Sequence, residues 1–162
     1  MPLNMNVDGI NVFLKINNYK PSNRSNWDSL WCKCDFMFNS GDWLNYHRED
    51  DEVFLCSEIE KLESTFTMLL NGEIVEDKEI TLVEPDFIFQ IYPQKVNQDG
   101  VSDILIDWRV YFWHEGLTDN YLSVTLDREE IIMLRDYFSN VIKKQSSSNL
   151  SKQTIKGTTR AF

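Results

Sequence analysis

Strict two-residue alternation constrains this chain more than any other feature. In "DILIDWRVYFW" (103–113) every even position is apolar: Ile104, Ile106, Trp108, Val110 and Phe112. In "SLWCKCDFMF" (29–38) Leu30, Cys32, Cys34, Phe36 and Phe38 share one side, opposite Trp31, Lys33, Asp35 and Met37. Successive strand side chains point to opposite faces, so each run reads as a strand with one apolar face. "NVFLKINNY" is a further strand, closed by the loop "KPSNRSN". The turn residues Asn39-Ser40-Gly41-Asp42 lead into "WLNYH" as a hairpin partner. More strands are expected around 79–84, 86–92 and 121–126, with "PQKVNQDG" as a loop.

The period changes twice. In "SEIEKLESTFTMLLNG" the residues Ile59, Leu62, Phe66, Leu69 and Leu70 recur at helical spacing, with Ser57 and Glu60 as a capping box and Gly72 at the C-terminal cap. A second helix is expected from Asp127, with Glu130 as its capping acid and Ile131, Leu134, Phe138 and Val141 facing inward. Most connections are too short for parallel crossovers. The expected fold class is therefore α+β, a mainly antiparallel β-sheet with two helices packed against it, in a single domain over 1–144. The polar, basic segment 145–162 reads as a flexible tail. No internal repeat is visible.

A chain of 162 residues that is 42% apolar can bury a core without staples. Three cysteines, an odd number, argue against a disulfide framework and fit a reducing compartment, hence a cytoplasmic location. The start "MPLNMNVDGI" lacks a basic n-region and a long apolar run. Charge is unevenly placed: five of the 16 basic residues follow position 142, leaving 11 against all 26 acids, a net −15 on residues 1–142. Such a field repels nucleic acid and anionic membrane, attracts cationic proteins and also serves solubility.

Cys32 and Cys34 with Cys56 and His47 do not have the spacing of a zinc site, and the thiols share the apolar face, so no metal and no cofactor are expected. His47 and His114 are the two imidazoles, and neither lies in a nucleophile motif. Glu84-Pro85-Asp86 interrupts the strand-like "EITLVEPDFIFQIYP". Its paired carboxylates could serve acid/base chemistry in a cleft, but Pro between two acids also suits a bend, with the carboxylates displayed at the rim. Two surfaces are candidates for binding a partner. One is the acidic run Glu49-Asp50-Asp51-Glu52, which can equally be a solvated loop. The other is the second face of 103–113, with Asp103, Asp107, Tyr111 and Trp113. Left open, that face has the carboxylate and aromatic mixture of a binding surface; covered, its aromatics are core.

The order of these elements resembles the WapI-type family of bacterial immunity proteins over residues 12–144. The resemblance rests on "NWDSLWCKCDFMF", the helix from Leu62 to Gly72 with its paired leucines before Asn-Gly, "ITLVEPDFIFQI" and "YLSVTLDREEIIMLRDYF". It implies a small cytoplasmic, non-enzymatic antidote in a polymorphic toxin system, which binds and silences a cognate toxin domain, often a nuclease. A cationic, phosphate-binding toxin surface would be matched by the acidic field. The alternative is a small hydrolase or ligand-binding protein using Glu84/Asp86 or His114 in a cleft.

Overall fold

The computed structural model describes residues 1–21 and 31–157. Leu30, most of the expected loop at 20–26 and residues 158–162 lie outside this range. Strands β1 (Leu3–Val7), β2 (Ile10–Asn17), β3 (Trp31–Ser40) and β4 (Leu44–Leu55) form one antiparallel meander, followed by helix α1 (Cys56–Leu70). Strands β5 (Lys78–Thr81), β6 (Phe87–Val96), β7 (Ser102–Trp113) and β8 (Leu117–Leu126) form a second, followed by helix α2 (Arg128–Gly157). The α+β class and the antiparallel pairing agree with the sequence reading. The strands divide between two sheets, and a four-strand meander followed by a helix occurs twice without any visible sequence repeat.

Alternation sets the faces as expected: Cys32, Cys34, Phe36 and Phe38 are buried on β3, and Ile104, Ile106, Trp108 and Val110 on β7. The buried faces meet through aromatic rings. Phe36 lies 5.0 Å from Phe87, and Trp108 lies 5.2 Å from both Phe38 and Phe87. The helices extend the same core, Phe66 of α1 packing 5.6 Å from Phe89 and Phe138 of α2 packing 6.1 Å from Phe54. Each ring withdrawn from water contributes about 1.5–3 kcal/mol, so this seam joins both halves into one core.

Four local details depart from the sequence reading. A strand precedes the first one expected: Leu3, Met5 and Val7 are buried, and Asp8-Gly9, both with positive φ, form the tight turn into β2. Helix α1 starts at Cys56, so the Ser57–Glu60 capping box does not form. Instead Glu58 accepts the Leu55 N–H at 2.9 Å and the Val83 N–H at 2.7 Å, while Glu60 accepts the Tyr19 hydroxyl at 2.8 Å. The acidic run is not a loop. It lies within β4, whose register shifts between the partners of Cys34 and Phe36 to accommodate Glu49 and Asp50 as a bulge. Asp50 adopts φ 52°, and Asp35 Oδ1 accepts its N–H at 2.7 Å. Strand β6 likewise continues to Val96, with Pro93 inside a register shift where no ladder donor is needed.

The C-terminus of α1 and the N-terminus of α2 match their signals. Gly72, at φ 76°, lets its own N–H reach the Leu69 carbonyl and that of Glu73 reach the Met68 carbonyl. Asp127 and Glu130 cap α2 reciprocally, each side chain accepting the other's backbone N–H at 3.0 and 2.7 Å. The backbone of α2 continues to residue 157, into the segment read as a tail.

Candidate partner-binding surface

Acidic β4 and aromatic β7 approach each other at one rim of the two sheets. Tyr46 of β4 packs edge-on against Phe112 of β7 with ring centroids 4.9 Å apart, and its hydroxyl oxygen accepts the Trp113 N–H at 3.3 Å. Two residues along β4, the Arg48 guanidinium lies 5.2 Å from the Trp113 ring centroid and pairs with Asp51 at 2.9 Å. The guanidinium is thus held by a partly buried carboxylate on one side and an exposed ring on the other.

Glu84-Pro85-Asp86 lies in the turn between β5 and β6, so the bend reading holds for the backbone. The expected display of both carboxylates does not hold for Asp86, which is 3% exposed. Its carboxylate accepts the Trp113 indole N–H and its carbonyl accepts the Tyr111 N–H at 2.8 Å. Burial raises the Asp86 carboxyl above its ordinary range, as do Asp51 and Glu84, while the Trp113 hydrogen bond and Arg48 pull it down. Asp86 thereby fastens the end of β7.

The second face of β7 is open among the described residues. Asp103, Leu105, Asp107, Arg109 and Tyr111 are all half-buried. Tyr111 packs at a tilt against Tyr121 of β8, ring centroids 5.0 Å apart, and Arg109 lies over the Tyr121 ring at 5.4 Å. Asp107 accepts the Thr125 hydroxyl at 2.8 Å, and Arg128 grips Asp103 through Nε and Nη2, holding that carboxyl below its usual range.

The two surfaces inferred from sequence are therefore rearranged. Asp103 and Trp113 stand at opposite ends of β7, about 33 Å apart at the usual rise per residue. Of the acidic run, Asp51 turns to Arg48 and the Trp113 rim, Asp50 pairs with Lys33 at 3.3 Å, and Glu49 and Glu52 are exposed. The rim thus joins Asp51 from the first surface with Trp113 from the second, while the Tyr111 side chain packs on Tyr121. Sequence reasoning missed Tyr46, Arg48 and Tyr121. The signal for Tyr46 and Arg48 was their alternation with His47 in "NYHR".

Neither of two large cavities is lined by Glu84, Asp86 or His114. One, of about 770 Å³, lies between β1, β2 and α2 and carries Lys15, Tyr137 and Lys144; the other, of about 390 Å³, is lined by Phe13, Met37 and His47 among others. Among the described residues no cluster of His, Cys, Asp or Glu is placed to hold a metal ion, and no helix is long and apolar enough to cross a membrane.

A small α+β domain with aromatic, Arg and carboxylate side chains gathered at an accessible rim has the residue mixture found where proteins bind one another. The sequence model of the Immunity protein WapI-like family matches residues 3–145, and the chain belongs to that family. The match takes in β1, which precedes the segment carrying the resemblance. A search of curated proteins gives no match. Membership in an immunity family points to a toxin-neutralising, non-enzymatic role with a toxin protein as partner.

Proposed function

We propose that this chain is a cytoplasmic antidote that neutralises a cationic, nuclease-like toxin domain by seating on its active surface and occluding it. The observation that carries the binding site is the rim where Arg48, Asp51 and Trp113 lock together. Tyr111, Tyr121 and the exposed Glu49 and Glu52 extend this surface. Arg and aromatic residues supply anchors, and the surrounding carboxylates supply steering toward a basic partner. Asp103 and Asp107, already satisfied by Arg128 and Thr125, lie farther along the same open face and contribute mainly field.

Occlusion needs no bond making, only complementarity to a surface that would otherwise hold phosphate. The test is co-expression of this chain with the toxin domain encoded beside it, scored by survival and by co-purification. Survival with a stable complex is expected. Unprotected cells in the presence of soluble, folded chain would overturn the proposal.

A further inference from the structure

Cys32 lies at the start of β3 on its buried face, and Cys56 is the first residue of α1. Both are buried, and their sulfur atoms are 2.7 Å apart. A disulfide spans about 2.05 Å, so a shift of less than about 1 Å would bring the two hydrogen-bonded sulfurs to bonding distance. The ladder enforces this approach: Trp31 pairs with Leu55 and Cys32 with Phe54, which sets the first residue of α1 beside the start of β3. Cys34 is buried two residues on and takes no part in the contact.

The two thiols are also unequal. Cys56 sits at a helix N-terminus, where backbone N–H groups favour a thiolate, and its sulfur accepts the Lys20 N–H at 3.5 Å. The hydrogen bond from Cys32 brings the Cys56 thiol down to about 7, and the same pairing together with burial pushes Cys32 up. Cys56 is thus the sulfur suited to attack, and Cys32, in direct contact with it, is the one placed to resolve.

We propose that Cys32 and Cys56 form a reversible thiol–disulfide pair, closed by a small peroxide and reopened by a dithiol. The Cys56 thiolate attacks one peroxide oxygen, the O–O bond breaks, and the departing hydroxide takes up the proton released by the thiol to leave as water. The Cys32 sulfur then attacks the sulfur of the Cys56 sulfenic acid. The S–O bond breaks, and the hydroxyl leaves as water with the Cys32 proton. Two electrons pass from the sulfurs to the peroxide, giving one disulfide and two waters. A peroxide is small enough to enter through local opening. The bond ties the start of α1 to β3.

The test uses the full chain, reduced, desalted and treated with hydrogen peroxide, followed by intact mass and a non-reducing tryptic map. Lys33 separates Cys32 from Cys34, so the linked peptides identify the partner. The expected result is a mass lower by two hydrogens, a Cys32–Cys56 crosslink, Cys34 still alkylatable after unfolding, and full reversal by dithiothreitol. The closed form should melt roughly 6–12 °C higher, from the loop-closure effect and the usual slope for a chain of this size. Cys34→Ser should behave like wild type. Added oxygen without a crosslink, a crosslink through Cys34, or recovery of all three thiols would each overturn the proposal; the wild-type map decides even if a variant misfolds.

Discussion

Replacing Trp108 by alanine and by phenylalanine separates two contributions that the core combines at this position. Trp108 is fully buried, packed 5.2 Å from Phe38 and Phe87 and stacked at 5.4 Å on Phe89. Its indole N–H finds no acceptor among the described residues. Trp108→Ala removes the ring that joins the sheets and should cost about 3–5 kcal/mol, lowering Tm by roughly 6–20 °C. Trp108→Phe loses about 40 Å² of buried apolar surface, roughly 1 kcal/mol, and leaves a small void. It also removes a buried donor whose missing partner costs about 1–3 kcal/mol. The two effects nearly cancel, so Trp108→Phe should fall within about 1 kcal/mol of wild type. Urea unfolding followed by circular dichroism measures both. A phenylalanine variant as damaged as the alanine variant would refute the cancellation, and an alanine variant costing under about 1.5 kcal/mol would refute the seam as the centre of the core.

Asp86 gives a pH test. Its folded carboxyl is raised above the ordinary 3.8, so the folded chain holds the extra proton, and the stability this supplies is complete at low pH and lost as pH rises through the folded value. Asp86→Asn keeps an oxygen for the Trp113 indole and should flatten that fall in a melt series from pH 4 upward; an unchanged profile would contradict the assignment. Glu130, raised by burial from 4.5 to about 7, behaves with the same sign, and Glu130→Gln, which retains the capping acceptor, should gain stability relative to wild type at pH 8 over pH 5. A larger gain at pH 5 would reverse the sign and exclude it. Gly72→Ala forces a side chain into φ 76° and should cost about 1–2 kcal/mol in thermal unfolding, with no change meaning that the cap relaxes freely.

Period-two patterning made β3 and β7 legible because one face of each is buried and the other is not. The helices were legible from apolar spacing and from Asp127–Glu130 and Gly72, whose roles are local. Partition into two sheets was not legible, since which strand faces are brought together depends on rings such as Phe38 and Trp108, more than 60 residues apart. The loop alternative for the acidic run fails for a related reason. Consecutive carboxylates carry no strand propensity, and β4 persists through them because β3 supplies the ladder and Asp35 supplies an acceptor at the bulge. The candidate surface was half legible: the rim draws on both segments singled out from the sequence, but the Arg48 link between them is tertiary. Asp86 was placed at the rim because Pro85 marks a turn, and turn residues are usually exposed; the Trp113 indole draws it inward.

Electrostatic docking of a basic toxin domain is tested most directly by stopped-flow association of the two purified proteins at several ionic strengths. Wild type should associate fast at low salt and slow steeply toward 0.15 M, where the Debye length is about 8 Å. Glu49→Gln, Asp50→Asn, Asp51→Asn and Glu52→Gln in one chain should slow association and flatten that dependence. Folding should change little, because the Lys33–Asp50 pair is exposed, Asn at 51 keeps an oxygen for the partly buried Arg48, and Asn tolerates the φ of residue 50. Adding Trp113→Ala should then speed dissociation. Equal rates and equal salt slopes for wild type and the quadruple variant would contradict the account.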